Sequence, residues 1–363
     1  MITKIKIEGY KSIRSQEIEL KPINILLGGN GVGKSNFISV FSLIRNIYNQ
    51  NLQNYVRAKG GADTFLHFGK KTTSEINFDL RFGSVTSDTN RYIVELNESQ
   101  DNLFIKSSKS SFSPFTNWKD QSIESHVLES GLKGNFRGQA YYLNLWLKEF
   151  DVYHFHDTRD KSPMKGTSNI NDNRYLKNDG SNIAAYLYYL QQKHPKHFTR
   201  IEKTIQSVAP FFDSFILEPS KLNEELIRLE WREKGAPETY FNAYHVSDGT
   251  LRFACLATLL LQPEPPQTII IDEPELGLPP VAINKLASLV RNVSDKTQVI
   301  ISTQSTNLID NFDPEDIIVT DRNNYGSVFR RLNPADLESW LQDYTLGDLW
   351  GKNIFGAQPY SIG

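Results

Sequence analysis

The stretch Gly28-Gly29-Asn30-Gly31-Val32-Gly33-Lys34-Ser35 carries the clearest chemistry in the chain. It fits G-x-x-x-x-G-K-[ST], a spacing that lets successive backbone N–H groups converge on phosphate oxygens. Gly28, Gly31 and Gly33 permit the turns and the close approach that a Cβ would obstruct. A helix starting at this point adds the partial positive charge of its N-terminus. On this reading Lys34 reaches the β- and γ-phosphates of a nucleotide, the Ser35 hydroxyl ligates Mg²⁺, and Asn30 and Asn36 complete the binding stretch. The plain alternative, a structural glycine turn, is weighed against by the flanking elements: an apolar run ends at Leu27, and helical spacing begins at Phe37.

A second set of residues suits the same chemistry. Thr268-Ile269-Ile270-Ile271 reads as a buried parallel strand, and it ends on Asp272-Glu273. Open α/β sheets bind ligands at such carboxyl ends. Asp272 suits a Mg²⁺ shell, and Glu273 suits a base that polarises an attacking water. Gln304 follows the next apolar strand and can touch the γ-phosphate or that water. Ser247-Asp248-Gly249 opens an apolar helix upstream. By itself it is a capped helix start, with Ser247 as N-cap and Asp248 favourable to the helix dipole.

Other polar groups have bland readings beside sharper ones. His154 and His156, with Asp157, share one face of an extended segment and suggest a metal, against the commoner buried or hydrogen-bonded histidine. Arg159, Lys161 and Lys165 surround a Gly/Ser/Asn-rich stretch that reads as a solvated loop or a nucleotide-facing one. Lys193, Lys196, Arg200 and Lys203 form either a charged outer helix face or a stripe for a DNA backbone.

The elements that position these groups follow from periodicity. Residues 2–10 alternate apolar and polar as in a half-buried strand, and 74–107 hold two or three further period-2 segments. Residues 108–135, rich in Ser and Lys, predict a surface loop. Ser181–Gln192 and His197–Val208 read as amphipathic helices, and the last third alternates strand and helix, implying a mostly parallel sheet. No sustained heptad pattern predicts a coiled-coil arm.

Composition narrows the class further. The single cysteine, Cys255, allows no intramolecular disulfide and supplies too few thiolates for a cysteine-based zinc site. A formal charge of −2 exerts no global pull on nucleic acid, so such binding needs a local basic patch. Lys4 and Lys6 interrupt the first apolar positions, and no run approaches the ~20 apolar residues of a membrane span. The expected location is the cytoplasm.

Taken in order, the phosphate loop, Ser247-Asp248-Gly249, Asp272-Glu273, the segment Glu275-Leu276-Gly277-Leu278 and Gln304 resemble the ABC-type ATPases of the SMC, RecF and OLD class. Within that class, YHFHDTRDKSPM (153–164), NDGSNIAAYLYYL (178–190) and TLGDLWGKNIFG (345–356) look like the compact bacterial ATPases without coiled coil or Toprim nuclease. The resemblance implies an α/β P-loop NTPase head: a mixed or parallel sheet, N-terminal antiparallel strands and an inserted helical lobe. It divides the chain into 1–110 with the phosphate loop, 111–240 as the insertion and 241–363 completing the head. It implies ATP and Mg²⁺ as cofactors, slow hydrolysis with Gln304 where such proteins often carry His, and an ATP-dependent homodimer. In that dimer Ser247 and Gly249 of one head cap the γ-phosphate held by the other. With only 59 residues after Gln304, no effector domain is expected. A separate effector, a nuclease in antiphage defence or DNA metabolism, is the leading partner, and direct binding of DNA by a RecF-like repair ATPase is the alternative.

Overall fold

The computed structural model describes residues 1–84, 87–113, 118–159, 161–245 and 247–356. The chain forms two compact units, one of residues 1–152, 267–270 and 297–363, the other of 153–266 and 271–296.

The first unit is built on two sheets. β1 (Ile2–Tyr10), β2 (Ile13–Glu19), β4 (Glu75–Ser84), β5 (Ser87–Ser99), β6 (Asn102–Phe112) and β7 (Lys119–Val127) make an antiparallel sheet in the order β2-β1-β4-β5-β6-β7. β3 (Ile23–Leu27) lies in the second sheet, parallel to β15 (Gln298–Thr303) on one side and to β16 (Ile317–Asn323) on the other. β17 (Gly326–Arg331) closes one edge antiparallel to β16, and β14 (Thr268–Asp272) enters beyond β15 through its first three residues. All five residues of β3 are buried, as a strand covered on both faces requires.

α1 (Lys34–Tyr48) follows the phosphate loop and turns Phe37, Val40, Phe41 and Ile44 into the core, at the i, i+3, i+4, i+7 spacing of one helix face. Phe37 meets Phe41 and Phe329 at centroid separations of 5.6 and 5.3 Å, and Phe41 meets Phe150 at 5.8 Å. α2 (Leu52–Ala58), α3 (Gln139–Leu147), and the short α8 (Thr306–Ile309), α9 (Pro334–Leu337) and α10 (Leu346–Gly351) complete this unit. Gln298, fully enclosed, ties β1 to the second sheet: it accepts from the Ile2 N–H at 3.0 Å and donates to the Ile2 carbonyl at 2.7 Å.

The loop expected over 108–135 is corrected by this sheet. Its start belongs to β6 and residues 119–127 to β7, while 114–117 lie outside the described residues. Serine is a poor strand former in isolation, but here two of the hydroxyls are held by acids of the neighbouring strand: Ser108 donates to Glu124 at 3.1 Å, and Ser111 donates to Asp120. Composition signalled a loop because it cannot register a partner strand.

The chain leaves the first unit along β8 (Val152–Tyr153). In the second unit β9 (Thr167–Asn169) pairs with β11 (Leu226–Arg228), and β10 (Phe212–Ile216), β12 (Glu230–Glu233) and β13 (Ala236–Asn242) form a three-stranded antiparallel sheet. The run LIRLEW thus splits into two strands serving different sheets. Among the described residues, four α-helices accompany them: α4 (Ile183–Lys193), α5 (Pro195–Val208), α6 (Asp248–Leu261) and α7 (Pro280–Val293). Pro280 sits at the first position of α7, where its missing N–H costs nothing. Among the described residues, no helix is long and apolar enough to cross a membrane.

Candidate functional site

In the first unit, the 28–33 loop passes from β3 to α1 with Gly31 and Gly33 at φ +77° and +116°, the left-handed region that glycine tolerates. Three of its contacts fix its shape. A Cβ on Gly28 would lie 2.5 Å from the Thr320 carbonyl oxygen, so β16 backs the loop closely. The Ser327 hydroxyl donates to the Val32 carbonyl at 2.6 Å and meets the Ser12 hydroxyl at 2.7 Å, under Gly33. Asn36 also donates to Ser12, at 2.7 Å.

The N-terminus of α1 has Gly33 as its N-cap, no capping side chain and no acid in its first turn. Its backbone donors and dipole are therefore uncompensated by side chains, which is the condition for receiving an anion. Lys34 is buried and curls back, its Nζ donating to the Gly28 and Gly29 carbonyls at 2.7 and 2.8 Å. Ser35 is exposed beside it. Gln304, at the carboxyl end of β15, reaches the loop and donates to Asn30 Oδ1 at 2.9 Å. Arg322 donates to the Gly31 carbonyl at 3.1 Å. The donor set and the loop conformation fit a nucleotide phosphate with its Mg²⁺.

Lys11, on the turn after β1, donates to Ser39 of α1 at 2.9 Å and lies over the Tyr10 and Phe65 rings. Burial, with a smaller contribution from Lys59, lowers its pKa to about 8.

In the second unit, Ser247 caps α6 as its side chain accepts from the Thr250 N–H at 3.2 Å. Gly249 is packed so tightly that a Cβ would stand 2.3 Å from the Gly277 carbonyl oxygen. One turn on, the buried Arg252 donates to the Phe155 and His156 carbonyls at 2.9 and 3.0 Å. This guanidinium links the helix that begins at Ser247 to the 153–159 segment. Asp272 and Glu273 are half-buried at the end of β14, and Glu273 holds φ +43°, a strained value for a non-glycine residue. His156 lies beside them. Burial and then Arg252 hold its imidazole below the usual range, against the opposing pull of Asp272 and Glu273.

The expected residues thus fall into two local groups. Gly28, Asn30, Gly31, Gly33, Lys34, Ser35, Asn36 and Gln304 share the first unit; Ser247, Gly249, Asp272 and Glu273 share the second. Sequence reasoning missed Ser327, Thr320, Arg322 and Arg252. The first three lie almost three hundred residues from the loop they support, and no local spacing marks them. Arg159 pairs with Asp157 at 3.0 Å, while Lys165 is buried 3.5 Å from Asp248. Asp160, between them, lies outside the described residues.

A glycine-rich phosphate loop between a buried parallel strand and a helix, joined to an antiparallel N-terminal sheet, is the arrangement of a P-loop head, and its fold is that of solved SMC head domains. The fold aligns with an SMC head bound to the C-terminal winged-helix domain of ScpA at TM-score 0.60 and 16% identity, covering 92% of this chain and 99% of that one. It also aligns with an SMC head carrying an extended coiled coil, bound to the C-terminal domain of ScpA derived from Pyrococcus furiosus. There the TM-score is 0.58 and the identity 14%, over 94% of this chain and 98% of that one. No curated protein is significantly similar in sequence. The chain belongs to the family described as AAA domain, putative AbiEii toxin, Type IV TA system, which matches residues 23–310.

Proposed function

We propose that this protein is a Mg²⁺-dependent ATPase whose nucleotide-driven homodimerisation controls a separate effector protein. The observation that carries this reading is the uncapped start of α1 with Lys34 folded onto the Gly28 and Gly29 carbonyls. A buried ammonium bonded to loop carbonyls is poised to exchange them for phosphate oxygens. Gly28, Asn30, Gly31, Gly33, Lys34, Ser35 and Asn36 bind the triphosphate, and Ser35 with Asp272 holds Mg²⁺. When bound, the ion neutralises charge on the β- and γ-phosphates. Glu273 accepts a proton from the attacking water, and Gln304 orients that water by hydrogen bonding. A neutral amide cannot take up charge as the reaction proceeds, so turnover is slow.

Ser247 and Gly249 act in trans on the γ-phosphate of the partner head. Loss of that phosphate on hydrolysis removes the contacts and lets the heads part, a switch biased by nucleotide. One of the aligned SMC heads is bound to a winged-helix domain of ScpA, which supports a protein partner for this head as well. A nuclease acting in antiphage defence or DNA metabolism is the effector we favour.

The test is Glu273→Gln, which retains ATP without turning it over. Light scattering after gel filtration with saturating ATP and Mg²⁺ should give twice the monomer mass; a persistent monomer would falsify the sandwich. Purification from the native operon tests the effector, and an isolated ATPase with no associated protein overturns that part.

One observation favours a second reading. Lys196, Arg200 and Lys203 of α5 surround a surface depression with Lys285 of α7, together with Thr199 and Thr204. Four cations round a concave surface suit a DNA phosphate backbone, as a RecF-like repair ATPase would need. Duplex affinity that falls steeply with salt, only when ATP is present, would favour this reading over effector control.

A further inference from the structure

His154 and His156 have no part in the nucleotide chemistry above. They alternate along the segment after β8, so both side chains fall on one side of the extended chain. Their ring centroids are 6.0 Å apart. The sequence offers Asp157 as their companion, but Arg159 engages both Asp157 carboxylate oxygens, at 3.0 and 3.1 Å. The fold substitutes another acid. A nitrogen of each ring and a carboxylate oxygen of Asp272 lie within 4.8 Å of one another.

Two further features suit a ligand. Arg252 holds the Phe155 and His156 carbonyls from one side, which fixes the backbone carrying the second imidazole. Among the described residues, His156 Nδ1 is buried without a hydrogen-bond partner, so one nitrogen of that ring is uncommitted. Two imidazoles and a carboxylate suit zinc and its neighbours; Mg²⁺ and Ca²⁺ take oxygen ligands. At bond lengths of 2.0–2.1 Å, tetrahedral donors stand about 3.4 Å apart. Closing the present spacing therefore asks for a contraction of about 1.4 Å at most, within reach of side-chain rotation because His154 is exposed.

We infer that His154, His156 and Asp272 form a site for a transition-metal ion of the zinc class, with the fourth position left to water. Metal binding itself is independent of the nucleotide reading. A corollary rests on that reading: Asp272 is also the proposed Mg²⁺ carboxylate, so metal held by the histidines withdraws it and weakens ATP–Mg²⁺ binding. Zinc is then an inhibitor that acts through one shared side chain.

The experiment uses untagged full-length protein, stripped with EDTA and exchanged into chelator-free buffer. Zinc retained after gel filtration is measured by elemental analysis, and Co²⁺ is titrated while its visible d–d absorption is followed. One ion per chain is expected. His154→Ala and His156→Ala should each lower affinity at least tenfold and remove the cobalt band. Because His154 is exposed, its variant keeps the test alive should the His156 variant misfold. Lys34→Ala should lose ATP binding and keep full zinc stoichiometry, so failure of the metal site and failure of the nucleotide reading are distinguishable. No retained zinc, or equal retention by the double-histidine variant, overturns the site. Zinc should also raise the dissociation constant for ATP–Mg²⁺ at least tenfold in wild type but not in the double variant; an unchanged constant overturns the corollary.

Discussion

Gly33 and Lys11 show how single residues limit the loop and its setting. Gly33 combines φ +116° with a neighbour 2.0 Å from where its Cβ would be, the Ser327 hydroxyl. Gly33→Ala must therefore strain the backbone and break the Ser327–Val32 bond together. We expect a loss of roughly 1–3 kcal/mol in urea unfolding, with ATP binding abolished in a titration by fluorescent nucleotide. Lys11 makes a prediction about pH. Its folded pKa lies near 8, below the usual 10.5. Between those values the unfolded chain binds a proton that the folded chain does not, so stability rises with pH across this window. Urea midpoints measured from pH 7.5 to 9.5 should climb in wild type, and Lys11→Met should flatten the slope. A slope of the same size in the variant would assign it elsewhere. Glycine identity in the loop was readable from the sequence, because the chemistry demands it. The hydroxyl beneath Gly33 was not, since Ser327 is brought there only by the β16–β17 hairpin.

Among the elements, α1 joins site to core. Its outer end presents Lys34 and Ser35, while Phe37, Phe41 and Ile44 lie fully enclosed. Phe41 packs between Phe37 and Phe150. Phe41→Ala should cost about 3–5 kcal/mol in chemical unfolding through lost burial and the cavity left behind, with weakened nucleotide binding as the helix start loosens. A loss below about 1 kcal/mol would mean that α1 is not the keystone of this core. The helical spacing from Phe37 onward and the β-branched run at 268–271 were legible because each is periodic and apolar. Ser107–Ser111 was not, because a polar strand is stabilised by partners across the ladder, here Asp120 and Glu124. For the same reason the sequence shows no break within LIRLEW: hydrophobicity continues through Leu229, while the pairing partner changes.

For the whole molecule, the proposed switch depends on a second copy. Ser247 is exposed at the start of α6, as the proposed contact with a partner's nucleotide requires. Ser247→Arg introduced into Glu273→Gln should abolish ATP-dependent dimerisation in light scattering while leaving ATP bound to each monomer. Loss of both would place Ser247 in its own head's nucleotide site and contradict action in trans. The sequence by itself determined the phosphate loop, the acidic pair after a buried strand and the order of strands and helices around them. Those properties are written in local spacing and in residues whose chemistry has few substitutes. Only the tertiary structure decided what stands behind the loop, which acid faces His154 and His156, and which acids hold Ser108 and Ser111 of the serine-rich strand. Each depends on residues distant in the chain meeting at hydrogen-bond range, and no local pattern encodes that meeting.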